Sequence, residues 1–296
     1  MNGKELKDEL NALIGKSTGK RIIKYGWREL ALYALAVGAG QDDMEYIFED
    51  GIKPLPTFGA IPYWAAPGVE PHLDYPWPAV MYAYDVVKPE GAFLNMTHEL
   101  IIHKPIPSQG LFVYEDVLTD IYDRGEGKGI AAESREDIYS ADGTLLCTNI
   151  GTTLFPAGGG FGGKQMPKSS VTIPDSPPDI ICEDYIGPTQ HLLYRLTGDT
   201  NLIHVDPAYA ERVGVGSPII QGFCSIGFAV RMAVEKLVPG KPESVKRIAV
   251  QMTGKVYPGT PIELRIWRIG ETIAYFRLIN KADGSIALNK GVFEWK

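Results

Sequence analysis

The sequence contains little cysteine, little histidine and no long hydrophobic run. Three cysteines occur in 296 residues, and Cys147, Cys182 and Cys224 are too far apart for a zinc site. Their odd number argues against a disulfide framework and favours reduced structural thiols in a cytosolic protein. The five histidines show no spacing typical of metal ligands, so no metal site is predicted.

A basic surface and a membrane anchor are also missing. The net charge of −7 argues against a general nucleic-acid binder. No apolar run is long enough to span a bilayer, and the N-terminus lacks the apolar centre of a signal peptide. The last residues, Glu294–Lys296, are not a peroxisomal address. These features predict a cytoplasmic protein without a membrane segment, and the length allows two domains.

The most informative segment of the chain runs from Tyr194 to His204. It places the carboxylate of Asp199 five residues before the imidazole of His204, with Gly198 ahead of the pair and Asn201 between them. A Gly-Asp pair after an apolar run predicts a tight loop that can direct both side chains into one pocket. A carboxylate and an imidazole together can take and give a proton near neutral pH. An isolated pair of this kind is more often a turn with a core histidine.

The residues after His204 strengthen the functional interpretation. Asp206 is a good N-cap, Pro207 suits the first helical position and Gly214 suits the end, so a short helix is expected. The apolar segment Phe223–Val238 predicts a buried central helix with Gly222 at its start. Backbone N–H groups at such a helix start can stabilise an oxygen that gains negative charge.

The segment Tyr194–Gly227 resembles the signature of the (R)-specific 2-enoyl-CoA hydratases, the hydratase 2 or MaoC-like dehydratase family. Three other segments resemble the hydratase 2 domain of peroxisomal multifunctional enzyme type 2: Leu55–Gly59, Gly159–Lys164 and Val256–Gly259. The resemblance covers nearly the whole chain. It implies a double hotdog fold and the reversible, cofactor-free hydration of trans-2-enoyl-CoA to (3R)-3-hydroxyacyl-CoA.

The resemblance also assigns roles by position. It implies that Asp199 and His204 are the catalytic pair and that Gly222 is the backbone oxyanion donor. The residues expected to contact the substrate or CoA are Asn201, Arg124, Gly162, Gly163, Lys164 and Met252. For Arg124 a surface charge in a turn, and for Met252 a core strand residue, are equally good interpretations. A homodimer that takes an acyl-CoA thioester is expected.

Two positions depart from the family pattern. Leu202 stands where the family usually has proline, and Gln221 replaces the histidine before the oxyanion glycine. Neither change removes a group that transfers protons, so the chemistry is expected to survive. Loop geometry or acyl preference could change.

The two halves of the chain resemble each other. Leu32–Gly40 aligns with Leu193–Asn201, which places Gly38 opposite Asp199 and Asp43 opposite His204. Near the two ends, Ser140–Thr144 and Lys281–Ser285 each carry an Asp-Gly pair between β-rich runs and predict hairpin turns. Strands around one long apolar helix indicate an α+β fold, independently of the resemblance.

The repeat defines the predicted domains. Residues 1–155 form an N-terminal hotdog repeat, residues 156–180 a Gly/Pro-rich connector, and residues 181–296 the C-terminal catalytic repeat. The first copy lacks the histidine and the carboxylate, so it is expected to bind the acyl tail without reacting. Its central helix would start near Phe58 and be interrupted by prolines, which is expected to leave space for the acyl tail around Phe58 to Trp64.

Several segments allow two interpretations. The glycine run up to Lys164 is either a plain connector or a site for CoA phosphates, and it is not a P-loop. The aromatic residues Tyr63, Trp64, Tyr75 and Trp77 predict core packing or an acyl-pocket lining. For the whole chain, the alternatives to a hydratase are a dehydratase of a carrier-bound or unusual 3-hydroxyacyl thioester and a non-catalytic acyl-thioester-binding protein. A thioesterase is a weaker alternative.

Overall fold

A computed structural model describes residues 2–60 and 78–296 of the chain. The predicted aromatic cluster of Tyr63, Trp64, Tyr75 and Trp77 lies outside these residues. The helices are α1 (Gly3–Asn11), α2 (Trp27–Ala36), α3 (Met81–Val87), α4 (Gln190–Arg195), α5 (Pro207–Arg212) and α6 (Gly222–Leu237). The strands are β1 (Arg21–Tyr25), β2 (Leu94–Ile102), β3 (Gly110–Asp123), β4 (Ile130–Tyr139), β5 (Leu145–Phe155), β6 (Ile180–Ile186), β7 (Val245–Met252), β8 (Thr260–Arg268), β9 (Ile273–Asn280) and β10 (Ile286–Trp295).

The strands of the described residues form one antiparallel sheet in the order β1-β3-β4-β5-β2-β7-β10-β9-β8-β6. The two halves of this sheet have the same strand order. Counted from the outer edge inward, each half contains its own first, third, fourth, fifth and second strands. The halves meet where β2 pairs with β7, for example Leu100 opposite Ile248. The internal repeat seen in the sequence therefore corresponds to two copies of one sheet topology.

Both predicted hairpins are present. Ser140–Thr144 joins β4 to β5, and Lys281–Ser285 joins β9 to β10. Gly143 and Gly284 have φ angles of 85° and 74°, which residues with side chains rarely adopt. The Asp-Gly pairs thus set the two turns through the conformational freedom of glycine.

The central helix α6 lies in the core, as its apolar sequence predicts. Residues from Cys224 to Val234 along it are buried. Its contact with α2 is close: a Cβ atom at Gly227 would lie 2.3 Å from Val37 Cγ1, and one at Gly38 would lie 2.3 Å from Phe228. Glycines on both sides therefore allow the first half of the chain to pack directly on the central helix.

The first half has no long helix among its described residues at the place corresponding to α6. A 3-10 helix covers Pro56–Ala60, and the prolines predicted to interrupt the helix lie outside the described residues. The expected space around Phe58 is not found at Gly59. A Cβ atom there would lie 2.8 Å from Cys147 Sγ and 3.1 Å from Ile106 Cδ1. Phe58 and Gly59 therefore belong to the packed core, which corrects the expectation of pocket volume at these two residues.

Candidate active site

The loop after α4 is built by short-range hydrogen bonds. Gly198 turns the chain with a φ of 115°. The Asn201 side chain accepts a hydrogen bond from Ile203 N at 3.1 Å and so caps a 3-10 turn over Leu202–His204. Asp206 then caps α5 by accepting hydrogen bonds from the next N–H groups, as predicted. Two consecutive caps fix the backbone on both sides of His204.

His204 is held by a backbone carbonyl. Its Nδ1 lies 2.8 Å from Ile219 O, and because a carbonyl can only accept, Nδ1 carries the proton of a neutral ring. Nε2 is then an acceptor, and it faces Asp199 Oδ2 at 3.8 Å. His204 as a whole is only 8% exposed. The contact with Ile219 therefore selects the tautomer in which Nε2 can take a proton.

Asp199 is oriented by the loop that carries it. Its Oδ1 accepts a hydrogen bond from Asn201 N at 3.2 Å, which leaves Oδ2 toward His204. The separation of 3.8 Å is too long for a direct hydrogen bond and suits one water that contacts both groups. The pair can thus hold a water molecule beside two proton-transfer groups.

Gly222 begins α6 at the same cavity. The first N–H groups of a helix have no partner within the helix, so they are available to an oxygen placed there. A Cβ atom at Gly222 would lie 2.6 Å from Met252 Sδ. Met252 therefore packs against the helix start, and a side chain at position 222 would have to displace the thioether of Met252.

One cavity of about 430 Å³ contains the predicted catalytic residues. Asp199, His204, Gly222, Asn201 and Met252 all line it. Its walls also include residues that the sequence did not single out as site residues: Phe93, Leu94, Thr153, Ser225, Lys255 and Leu288. Strand residues of both halves thus complete a site whose reacting groups come from the second half.

The other predicted ligand contacts lie elsewhere. Arg124, Gly162, Gly163 and Lys164 do not line this cavity. Asp123 Oδ2 accepts hydrogen bonds from the N–H groups of Gly162 at 2.7 Å and Gly163 at 3.2 Å.

Further contacts around Asp123 stabilise this glycine loop. Oδ1 of Asp123 accepts N–H groups from Gly125 and Gly160. Burial alone would raise the pKa of Asp123, but these backbone hydrogen bonds outweigh it and hold the pKa below its usual value. Lys164 pairs with Asp120. An internal carboxylate thus occupies the N–H groups that a phosphate was expected to bind.

The two departures from the family pattern are compatible with this geometry. Leu202 is 45% exposed, and the 3-10 turn forms without a proline. Gln221 is fully buried and donates from Nε2 to His191 O at 3.0 Å. The side chain of Gln221 therefore connects the start of α6 to helix α4, on which His191 lies.

Cys224 is a core residue, as predicted. It is fully buried on α6, and burial, together with the charge of Asp199, raises the pKa of its thiol well above the usual value. All three cysteines are buried and unpaired.

No group of three or more metal-ligating side chains occurs among residues 2–60 and 78–296. In the same ranges, every helix is too short or too polar to cross a membrane.

Family models match both halves of the chain. The MaoC-like domain matches residues 167–290, and the N-terminal domain of the hydratase 2 unit of multifunctional enzyme type 2 matches residues 23–157. The chain therefore belongs to the MaoC-like dehydratase family, in its hydratase 2 branch.

Curated relatives agree with this assignment. A probable enoyl-CoA hydratase 2 of Dictyostelium discoideum is 32% identical over 90% of this chain and 89% of its own length. The peroxisomal enoyl-CoA hydratase 2 of Arabidopsis thaliana is 30% identical over 85% and 84%. A 3-hydroxyacyl-thioester dehydratase of Mycobacterium tuberculosis is 30% identical over 95% and 97%.

Solved structures confirm the fold. A MaoC-like dehydratase from Phytophthora capsici superposes with a TM-score of 0.82 at 25% identity, over 98% of this chain and 97% of that one. A Mycobacterium tuberculosis protein described as a double hotdog fold has a TM-score of 0.57 at 15% identity, over 95% of each chain. The predicted double hotdog architecture is therefore confirmed.

Proposed function

We propose that this protein is a hydro-lyase that reversibly hydrates trans-2-enoyl-CoA to (3R)-3-hydroxyacyl-CoA. The observation that carries the proposal is the pairing of Asp199 and His204 across 3.8 Å in one cavity with the start of α6. The family membership and the relatives named enoyl-CoA hydratase 2 support the same reaction.

The chemistry follows from the position of the groups. A water molecule held between Asp199 and His204 attacks C3 of the enoyl thioester as one of the pair removes its proton. Electrons move from the C2–C3 double bond toward the thioester oxygen, where the Gly222 N–H stabilises the developing charge. A proton then reaches C2 and the carbonyl reforms, so one water is added in total.

Asp199 and His204 act together in proton transfer. The Nδ1–H donated to Ile219 O leaves His204 Nε2 as an acceptor, which suits it to take the proton of water. Because one water contacts both side chains across the 3.8 Å gap, the pair rather than either residue is the acid–base unit.

Purified protein incubated with crotonyl-CoA and longer enoyl-CoAs tests the proposal. We expect the ultraviolet absorbance of the conjugated thioester to fade without release of free thiol. Thiol release would indicate a thioesterase instead. An unchanged absorbance with all substrates, despite saturable binding, would indicate a non-catalytic binding protein.

A second candidate is the same chemistry in the dehydrating direction on a carrier-bound or unusual thioester. The similarity to a 3-hydroxyacyl-thioester dehydratase of Mycobacterium tuberculosis supports it. Comparison of kcat/KM for one acyl group on CoA and on an acyl carrier protein distinguishes the two. A carrier-protein preference of more than roughly 10-fold, well beyond experimental scatter, would favour this candidate.

We further propose contacts for the CoA part of the substrate. Asn201 and Met252 line the cavity and are suited to contact the thioester end. Arg124 donates to Lys128 O at 3.2 Å in the turn beside the glycine loop, and its guanidinium is the group that we propose for contact with a CoA phosphate. Arg124→Ala tests the role of the turn, since loss of a phosphate contact raises KM without lowering kcat. An unchanged KM would assign the loop a structural role only.

We also propose a homodimer in the cytoplasm. The outer strands expose apolar side chains, with Ile22 at 62%, Ile181 at 55% and Tyr185 at 54% exposure, and such residues suit a subunit contact. The three buried, unpaired cysteines suit a reducing compartment. Light scattering tests the mass of the oligomer, and cell fractionation tests the location. A peroxisomal location, which the name of the Arabidopsis relative states for that protein, would contradict the proposal.

A further inference from the structure

The residues just before α6 serve both parts of the proposed chemistry. Ile219 O lies 2.8 Å from His204 Nδ1 and fixes the tautomer of that base, and Gly222 carries the N–H expected to stabilise the thioester oxygen. We call residues Ile219–Gly222 the bridging segment. The substrate fixes the separation between its C3 atom and its thioester oxygen, so the protein groups that act on these atoms must keep a matching separation. The position of the bridging segment therefore matters for the reaction.

Hydrogen bonds from two consecutive residues hold the bridging segment. Ile220 N donates to Val256 O at 2.8 Å. Gln221 donates from its side-chain Nε2 to His191 O on α4 at 3.0 Å. The first bond is made by the backbone and is independent of residue type, whereas the second depends on the amide of Gln221. One side chain thus attaches the start of α6 to α4.

Helix α4 precedes the loop that carries Asp199. The helix also lies beside the proposed base, because burial lowers the pKa of His191 and the charge of His204 lowers it further. The hydrogen bond of Gln221 therefore joins the helix that leads to the acid–base pair to the segment that carries the N–H donor.

Gln221 occupies the N-cap position of α6 without capping the helix. In the described part of the chain, its side chain accepts no hydrogen bond from the first turn of α6. Serine, threonine, aspartate or asparagine at this position would place an acceptor oxygen at the helix start. That oxygen would repel a thioester oxygen that gains negative charge beside Gly222 N–H. The orientation of Gln221 toward α4 therefore leaves the helix start free for the substrate.

The burial of Gln221 argues against a role in packing alone. The residue is fully buried, and its Oε1 has no hydrogen-bond partner among the described residues. A buried acceptor without a donor lowers stability, and an apolar side chain of similar size avoids this loss. The feature that the amide supplies is the hydrogen bond to His191 O.

We propose that Gln221 is a positioning residue that sets the separation between the acid–base pair and the N–H of Gly222. The proposal rests on the proposed hydratase function and adds a residue to the same site. Gln221 is not among the described residues that line the active-site cavity, so it acts through the backbone of its neighbours. Without its hydrogen bond the bridging segment can shift relative to α4, and shifts of about 1 Å at reacting groups reduce rates strongly.

The variant Gln221→Met keeps an unbranched side chain of similar length but removes both the donor and the unpaired oxygen. We expect kcat on the best enoyl-CoA to fall by about 10-fold and KM to change by less than about 3-fold, because the lost alignment acts in the transition state. The melting temperature should stay the same or rise. A lower melting temperature with kcat unchanged in the folded protein would show a structural role only and overturn the proposal.

Two further variants separate this effect from a general loosening of α4. Gln221→His can donate from a nitrogen at the same number of bonds from Cα, so kcat should stay within about 3-fold of the unchanged protein. Gln190→Met is the matched control, because Gln190 on α4 donates in the same way to carbonyl groups of α2, Leu35 O at 2.9 Å and Ala36 O at 2.6 Å. Its kcat should also stay within about 3-fold. Equal losses in Gln190→Met and Gln221→Met would overturn the proposal.

The double variant Gln221→Met/Gly222→Ala tests whether Gln221 acts through the Gly222 N–H. If both changes disturb the same donor, the double variant should be at most about 3-fold slower than Gly222→Ala alone. Losses in kcat that multiply would show that Gln221 acts elsewhere and would overturn the proposal.

A measurement without turnover separates this proposal from the hydratase function. The infrared carbonyl frequency of bound saturated acyl-CoA, isotope-labelled at the thioester carbonyl, falls when an N–H group donates to its oxygen. We expect this lower frequency in the unchanged protein and in Gln221→His, and a frequency nearer that of free acyl-CoA in Gln221→Met. If no enoyl-CoA is hydrated, the proposed function is wrong, and this comparison alone decides the role of Gln221. Equal frequencies in the unchanged protein and Gln221→Met would overturn the proposal, and Gln221→Leu replaces Gln221→Met if that variant does not fold.

Discussion

The two copies of the fold differ in the loops that follow the corresponding helices α2 and α4. In the second copy, the loop after α4 directs Asp199 and His204 into the cavity. In the first copy, the loop after α2 directs Asp43 toward the central helix, where Asp43 Oδ2 lies 3.9 Å from Arg231 Nη1. The same position in the repeat therefore serves proton transfer in one copy and helix packing in the other.

Arg231 shows how the non-reacting loop contributes. It is 7% exposed on α6, donates from Nε to Val37 O at 3.0 Å and pairs with Asp184 on β6. A buried guanidinium requires such partners, because an unpaired one is costly. The first copy thus supplies part of the environment that holds α6, and with it Gly222, in place.

The largest expected effect is the loss of either catalytic side chain in the second copy. Asp199→Asn and His204→Gln should each lower kcat by roughly 10²-fold or more, the scale of a positioned acid or base. Both changes nearly preserve volume, so melting temperatures should stay close to that of the unchanged protein. Steady-state kinetics on the best enoyl-CoA provide the measurement. Turnover near the original value in either variant would remove that residue from the proton-transfer pair.

A smaller loss is expected at the helix start. A Cβ atom at Gly222 would lie 2.6 Å from Met252 Sδ, so Gly222→Ala should displace Met252 or the backbone that carries the N–H donor. We expect kcat to fall by about 10-fold to 10²-fold, up to the scale of a lost oxyanion donor.

The double variant Gly222→Ala/Met252→Ala gives the control for this prediction. Removing the thioether leaves room for the new methyl group, so part of the activity should return. If Gly222→Ala alone were fully active, the backbone at this position would not act on the thioester oxygen.

The buried carboxyl group of Asp116, on β3 of the first copy, predicts a change in stability. Because the pKa of Asp116 is raised to about 6 in the folded protein, the folded state binds more protons than the unfolded state between about pH 4 and pH 6. Stability therefore falls as pH rises through this window. Asp116→Asn removes the effect and should raise the free energy of unfolding at pH 7 by roughly 1–3 kcal/mol.

Urea unfolding of both proteins at pH 4 and pH 7 tests this sign. The advantage of Asp116→Asn should be small at pH 4 and reach its full value by pH 7. A stabilisation that is equal at the two pH values would mean that ionisation of Asp116 has no part in it. A lower free energy of unfolding for Asp116→Asn at both pH values would show that the carboxylate is needed for folding.

The local features of the site were predictable from sequence because they depend on neighbouring residues. The cap at Asp206, the turn around Gly198 and the central helix, predicted as Phe223–Val238 and found as Gly222–Leu237, follow from local patterns. The hairpins at the two Asp-Gly pairs do as well. Because these hairpins recur in both halves, two copies of one fold were predictable.

Contacts that depend on strand register were not predictable in this way. Asp116, Glu136 and Asn149 form a row across β3, β4 and β5 only when these three strands pair in one register. The carboxylate of Asp123 reaches the glycine loop from a distant part of the sequence, so this loop was interpreted as a connector or an external phosphate site. Gly59 was assigned to open space because the sequence gives no information on its neighbours Cys147 and Ile106.

The smallest effect is expected for Asp43→Ala, which removes the residue opposite His204 in the repeat. Asp43 accepts a hydrogen bond from Gly40 N at 2.9 Å, and Arg231 keeps its partner Asp184 in the variant. The side chain of Asp43 is 27% exposed, so its ion pair should contribute about 1 kcal/mol or less. We therefore expect kcat to stay within about 3-fold of the unchanged protein, as for a substitution away from the chemistry. Asp42→Ala, at an exposed neighbouring position, is the matched control. A loss of kcat comparable with that of His204→Gln would show that the first copy also holds reacting groups, and the contrast between the two loops would be wrong.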